Sequence, residues 1–375
     1  MIKAEPVALT AQDGVEFQAQ LHYDDAVKPT AAIMVAHPTS DWRNHFLLRL
    51  LAERGIGALG FCTRFATREA ELILEETLLD TAACVEFLHE KGYRNVLGMG
   101  SSGGAEIFAG YQSEAAKPTI TGTFLGDPPD LTKAKLPPLA GLVFLNPHMG
   151  RPFSLTRGLD PSVGGADGND PLEYDAGLDI YNPKNGPPFS AEFRKRYEAA
   201  QIERNNKITR WCLQTIKKIE PLGNPLLKDI PFIVHRTDAA MAQADTSLDP
   251  TDRSGRTIWN EDPREANYTP GPLRGSRTRL RIFTLRSWIS QRGLATSHFD
   301  VLKHIANCHV PTVVLCGTAE EGGPAHARQI FDAAPDPRKT MTWIKGGTHF
   351  MSGQDAEQRE TADLMAAWVK ERGLS

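Results

Sequence analysis

The tightest constraint in this sequence is a glycine-rich bend, Gly98-Met99-Gly100-Ser101-Ser102-Gly103-Gly104. It follows the apolar run Asn95-Val96-Leu97 and opens a run of helical character, Ala105 to Tyr111. Strand, sharp turn and helix, in that order, are the setting of a G-x-S-x-G elbow, in which a serine is held at the tip of a strained turn. Chain passes close by on both sides of such a serine, so the residues two before and two after it must be small. Ser102 meets that rule, with Gly100 and Gly104 at those places. Ser101 is the alternate, but Met99 would crowd its turn. A glycine-rich phosphate cradle is the other reading of such a bend. The run lacks the Gly-Lys-Ser/Thr ending of a phosphate loop and the G-x-G-x-x-G spacing of a dinucleotide site.

Around the bend the chain alternates. Pro6 to Ala11 and Glu16 to Tyr23 predict a hairpin about Asp13-Gly14. Ala31 to Ala36 and Ile56 to Phe61 are continuous apolar runs of strand length, as in buried strands. Between them Phe46, Leu47, Leu50 and Leu51 mark a helix face that Gly55 stops. Leu74, Leu78, Ala82, Val85 and Leu88 recur at helical spacing over Leu74 to Lys91. Another apolar strand spans Leu139 to Leu145. The rhythm breaks at Asn146-Pro147-His148 and resumes with strands Thr312 to Cys316 and Thr340 to Ile344, helix His326 to Ala334 and closing helix Ala356 to Arg372. The expectation is an α/β fold, a mostly parallel central sheet with helices on both faces. Residues 1-150 and 301-375 form its core. Residues 151-300 are rich in Pro, Gly, Asn, Asp and Arg, and are read as a mainly helical cap inserted over that core. Within it, Glu192 to Ile219 and Leu280 to Gln291 are predicted helices, and Pro231 to His235 a short strand.

Composition narrows the function. A formal charge of −4 over 375 residues, with no long basic run, argues against nucleic acid as a partner. No window of apolar residues is long enough for a membrane span. Met1 to Pro6 has no apolar segment of a signal peptide. The five cysteines, Cys62, Cys84, Cys212, Cys308 and Cys316, are scattered through apolar runs, which fits reduced core thiols in the cytoplasm. No C-x-x-C or H-E-x-x-H pattern occurs, so no metal is expected. Oligomeric state is left open, a homodimer included.

A serine needs a base within hydrogen-bond reach to become a nucleophile. His349 follows the last strand, in the loop Gly346-Gly347-Thr348-His349, and histidine titrates near neutrality. The bland reading is a loop histidine that caps the last helix. With an acidic loop, Gly317 to Pro324, after the strand ending at Cys316, the order is serine elbow, acid, histidine. In this the chain resembles the α/β-hydrolase superfamily over residues 1 to about 150 and 301 to 375. The resemblance implies Glu320 as the triad acid, three residues after the strand-end glycine, where Asp is usual; Glu321 is the alternate. It also implies an oxyanion hole made by the backbone N–H groups of Gly103 and Thr39, with Ser40 as the alternate. Pro38 has no N–H to give. The expected chemistry is cofactor-free hydrolysis of a small-molecule carboxylic ester, lactone or thioester through an acyl-enzyme. The same triad serves amide or carbon–carbon bond hydrolysis and acyl transfer. The fold also serves non-catalytic ligand binding.

Further polar residues stand at strand ends. Arg64 is read as an ion-pair partner of Glu76 or Asp80 that fixes a loop. Asp127 and His148 either touch substrate or serve loop structure. In the cap, Trp211, Trp259, Tyr268, Phe283 and Trp288 are mostly cap core, with one or two lining a pocket.

Overall fold

The computed structural model describes residues 1–28, 30–180, 182–186, 189–224, 227–237, 280–320 and 324–375. Trp259 and Tyr268 lie outside the described residues, as does Glu321. The described chain divides into two compact units. One holds Met1–Arg68, Leu74–Gly150 and Phe299–Ser375, and the other Glu69–Ile73 and Arg151–His298.

The chain begins with the antiparallel pair β1 (Ile2–Thr10) and β2 (Glu16–Asp24). There follow β3 (Ala31–Ala36), α1 (Phe46–Ala52), β4 (Gly57–Phe61), α2 (Leu74–Glu90), β5 (Asn95–Ser102), α3 (Gly104–Ala116) and β6 (Gly141–Pro147). The second unit then contributes α4 (Arg151–Gly158), β7 (Val163–Gly164), β8 (Asp170–Tyr174), α5 (Ala191–Ile219), β9 (Pro231–His235), β10 (Leu280–Thr284) and α6 (Leu285–Gln291). The first unit closes with α7 (Val301–Ile305), β11 (Thr312–Gly317), α8 (Pro324–Ala333), β12 (Thr340–Ile344) and α9 (Asp355–Glu371).

The first unit is built on an eight-stranded sheet of order β1-β2-β4-β3-β5-β6-β11-β12. Every pair from β4 to β12 is parallel, and β1 and β2 join antiparallel at one edge. Alternation along the strands sorts residues to the two faces. Ile33, Val35, Leu97, Met99, Val143, Leu145, Val313 and Leu315 pack with Leu47, Leu48 and Leu51 of α1 and Met365, Trp368 and Val369 of α9. The opposite face meets α3, so closely that a Cβ at Gly98 would lie 2.3 Å from the Phe108 ring. Strand order reverses between β3 and β5, since β4 lies on one side of β3 and β5 on the other. In open α/β sheets the crevice at such a reversal, beyond the C-terminal strand ends, is where ligands bind.

The second unit is organised by α5, whose first turn is capped by Ser190 accepting from the Phe193 N–H. One side of this helix buries Phe193 and Tyr197 with Ile180 and Phe189. Farther along, Trp211, Phe232, Phe283 and Trp288 form an aromatic cluster with neighbouring ring centroids 5.1 to 6.4 Å apart. The Trp288 indole N–H is satisfied by Thr209 Oγ1 at 2.9 Å. Arg204 is buried and donates to the carbonyls of Gly168, Asp160 and His235 at 2.7–2.8 Å, tying three segments to α5. Glu69 is ringed by Arg151, Arg281 and Arg292.

One expectation needs correction here. Leu280 to Gln291 is not a single helix. Leu280–Thr284 pairs antiparallel with Pro231–His235, and the helix starts only at Leu285. Thr284 sets that boundary through a reciprocal capping box with Ser287. Among the described residues, no helix is long and apolar enough to cross a membrane.

Candidate active site

Ser102 ends β5 with φ of +53°, a left-handed conformation that non-glycine residues adopt at a cost. Its neighbours explain the glycines around it. A Cβ at Gly100 would stand 2.6 Å from Ala105 Cα, and one at Gly104 would stand 2.2 Å from the Ala36 carbonyl oxygen. Both contacts are with backbone and cannot relax cheaply. The tight bend therefore centres on Ser102, while Ser101 remains in the ladder opposite Leu145.

Four further segments end beside this bend, all at C-terminal strand ends. After β6, the His148 backbone N–H donates to the Ser102 carbonyl at 3.1 Å, and His148 Nδ1 lies 3.5 Å from Ser102 Oγ. After β11 comes Glu320, fully buried. After β12 comes His349, whose Nδ1 is 2.5 Å from Glu320 Oε1. That short bond sets the tautomer. An Nδ1–H given to the carboxylate leaves Nε2 with its lone pair, the form a general base needs. The rings of His148 and His349 stack, with centroids 5.3 Å apart and planes 23° apart. His326, on α8, meets His148 edge-on at 6.4 Å. His148 is thus a side-chain partner of Ser102 Oγ, and the His349 ring stacks on that of His148. The Cys316 thiol near Glu320 is pushed up by its burial and by the nearby carboxylate.

Asn146 ties these loops together. Its side-chain N–H groups donate to the carbonyls of His349 at 2.9 Å and Thr348 at 3.2 Å, and its Oδ1 accepts from the Gly317 N–H at 2.8 Å. Its φ is +46°, which asparagine tolerates better than most residues. The acid and histidine loops also bind each other. The Gly346 N–H donates to Thr318 Oγ1 at 2.9 Å, and the Ala319 N–H to the Gly347 carbonyl at 3.1 Å. Gly317 allows this approach, because a Cβ there would lie 2.0 Å from the Gly347 oxygen. Gln354 anchors the histidine loop to the start of α9, accepting from Thr348 and donating to Gly346.

On the side after β3, the Pro38–Ser40 loop is held by Thr63 Oγ1 donating to the Pro38 carbonyl and by the Thr67 N–H donating to the Thr39 carbonyl. The Thr39 N–H, an expected oxyanion donor, is directed to His37 Nδ1 at 3.3 Å. His37 also lies against Gly103, with its Nε2 3.0 Å from where a Cβ would be. Ser40 follows directly in the same loop.

Arg64 does form the expected ion pairs. It clamps the fully buried Asp80 through side chain and backbone N–H, and also reaches Asp13 and, at 3.4 Å, Glu76. From the sequence, His148 stands as a strand-end residue that touches substrate or serves loop structure, while Asn146 and His326 carry no such expectation. The one signal was the break in rhythm at Asn146-Pro147-His148, where β6 gives out.

No protein-family model matches the chain, and no curated protein matches it significantly. Solved structures match over essentially the whole chain at low identity. DcsB, described in complex with its substrate analogue, matches with a TM-score of 0.55 and 14% identity, covering 99% of each chain. The hypothetical protein PA2218 from Pseudomonas aeruginosa matches at 0.52 and 13%, covering 99% of this chain and 94% of its own. The α/β hydrolase GrgF from Penicillium sp. sh18 matches at 0.52 and 12%, covering 99% of each chain. With its sheet order, its serine at the end of β5 and this likeness to GrgF, the chain has the α/β-hydrolase fold.

Proposed function

We propose that this protein is a serine hydrolase of small-molecule carboxylic esters, lactones or thioesters, with Ser102 as nucleophile, His349 as base and Glu320 as its orienting acid. The observation that carries this reading is the 2.5 Å bond from His349 to a fully buried Glu320, beside a serine held at positive φ. In acylation His349 Nε2 takes the Ser102 proton as Oγ attacks the substrate carbonyl. The oxyanion is held by the Gly103 N–H and by an N–H of the Thr39–Ser40 loop, Thr39 exchanging its contact with His37 for the substrate. Collapse of the intermediate breaks the carbonyl–O or carbonyl–S bond, and His349 returns the proton to the leaving group. A water, deprotonated by His349, then attacks the acyl-enzyme and Ser102 regains its proton. Catalytic hydrogen bonds are often long before substrate binds, so the Ser102–His349 bond is expected to form or tighten only with substrate in place. None of these steps needs a cofactor. The five cysteines are buried free thiols, in keeping with a cytoplasmic location.

A second reading of the base is favoured by one distance. His148 Nδ1 is the ring nitrogen 3.5 Å from Ser102 Oγ, so His148 takes the proton in place of His349. Amide hydrolysis, carbon–carbon bond hydrolysis and acyl transfer use the same groups, and a non-catalytic binding protein would show no turnover.

A fluorophosphonate probe tests the nucleophile. Labelling should vanish in Ser102→Ala and persist in Ser101→Ala; absence of labelling in the unaltered protein would falsify the hydrolase reading. Turnover of p-nitrophenyl esters tests the base. His349→Ala should lose several orders of magnitude and His148→Ala much less. The reverse order moves the base to His148. Glu320→Gln should follow His349→Ala in direction.

A further inference from the structure

The sequence carries no metal-ligand spacing, yet the fold gathers a donor set. Among the described residues, His148, Glu320 and His349 each offer one ligand atom, and these atoms all lie within 4.8 Å of one another. They come from the loops after β6, β11 and β12, three adjacent strands. Asn146, Thr318 and the Ala319–Gly347 bond cross-tie those loops, so the donors are assembled without an ion. Zinc bonds of about 2.0–2.2 Å to nitrogen and oxygen place neighbouring donors of a tetrahedral site roughly 3.4 Å apart. Ser102 Oγ and His148 Nδ1, at 3.5 Å, already have that spacing. The widest gap among the three, at most 4.8 Å, exceeds that spacing by about 1.4 Å, which the side chains must close as the ion binds. Glu320 supplies negative charge from the interior, and the two imidazoles are partly exposed. Two imidazoles and one carboxylate favour zinc over magnesium or calcium, which take oxygen ligands.

We propose that His148, Glu320 and His349 form an inhibitory site for a borderline divalent cation, with Zn²⁺ the type case and Ser102 Oγ or a water as the fourth ligand. The inhibitory part rests on the serine-hydrolase reading above. A bound ion occupies the imidazole lone pair that would accept the Ser102 proton, and draws Glu320 away from its orienting role. Ser102 Oγ is then either tied up as a ligand of the ion or, with water in the fourth position, left without a base, and in neither case does it attack. Binding breaks no covalent bond and consumes no redox equivalent.

The test separates binding from activity. ZnCl₂ is titrated calorimetrically into the full chain after chelator treatment, and Co²⁺ is titrated with visible absorption as a second probe. Saturable single-site binding is expected, weakened at least about tenfold in both His148→Gln and His349→Gln and unchanged in His22→Gln, on β2. Because a substitution can disturb folding, the unaltered protein is also treated with diethyl pyrocarbonate. Zn²⁺ should protect His148 and His349 from modification. Absence of binding, binding indifferent to both substitutions, or no protection overturns the site. Inhibition of p-nitrophenyl ester hydrolysis should share the midpoint of binding; acceleration by Zn²⁺ overturns the inhibitory assignment. Zn²⁺ binding to a protein that no fluorophosphonate labels leaves the metal site standing and sinks the hydrolase. An active enzyme that ignores Zn²⁺ does the opposite.

Discussion

Removing the side chain of Asn146 is the sharpest probe of how the site is held. Asn146→Ala deletes three hydrogen bonds, two part-buried ones to the carbonyls of Thr348 and His349 and a buried one from the Gly317 N–H. The Gly317 donor is then left unsatisfied, at about 1–3 kcal/mol, and two carbonyls each lose a partner. Alanine at φ of +46° adds roughly 1–2 kcal/mol of backbone strain. Together the loss should be about 3–5 kcal/mol in urea unfolding. Asn146→Gly keeps the hydrogen-bond loss without the strain and should be the milder by about 1 kcal/mol. Asn146→Asp keeps the acceptor for Gly317 but turns a carboxylate oxygen on two carbonyls, and should sit between the wild type and alanine. If His349 drifts by about 1 Å, ester turnover falls on the order of 100-fold in the folded fraction. A destabilisation under about 1 kcal/mol in Asn146→Ala, with turnover intact, would refute the argument that this side chain anchors the histidine loop.

Three more outcomes follow from the packing. Gly317→Ala drives a methyl group into the Gly347 carbonyl, and should cost about 1–3 kcal/mol by overpacking and lower turnover more than binding of substrate, as read from kcat and KM. Arg64→Ala leaves Asp80 buried without its partner, so thermal unfolding should report a loss of about 3–5 kcal/mol, which Arg64→Lys recovers only in part. In the second unit, burial alone would raise the Glu69 carboxyl, but Arg292, Arg151 and Arg281 hold it down to about 2. Its folded value is thus below the unfolded 4.5, so the stabilisation is complete above that pH and is lost as pH falls towards 2. The span corresponds to at most about 3 kcal/mol, and Glu69→Gln should remove that part of the acid slope in urea midpoints measured between the two values.

The sheet was legible because its strands are continuous apolar runs punctuated by glycine and proline. Ala31–Ala36 and Thr312–Gly317 are buried on both faces, and their shortness favours strand over a buried helix. The elbow was legible because backbone crowding leaves only glycine at 100 and 104. Glu320 and His349 could be named from their places after β11 and β12. Their mutual bond follows from the family resemblance and not from any local signal, since it depends on two loops drawn together by Asn146, whose partners lie roughly 170 to 200 positions away. The place of His148 is hidden for a similar reason: nothing local says that its ring will lie beside Ser102. Leu280–Thr284 misled because its pairing partner, Pro231–His235, is distant in sequence, while the helix after it begins with no proline or glycine to mark the start.

The order of strands across the sheet also bears on how the molecule is made. β6 is an interior strand in the finished sheet, but its neighbour on the outer side is β11, more than one hundred and sixty residues later. While the ribosome is still adding those residues, a nascent chain with β1 to β6 in place exposes an unpaired apolar rim on which another chain can template. Ser102 is therefore synthesised long before Glu320 and His349, so under the proposed triad a growing chain carries the hydroxyl without the groups that would activate it.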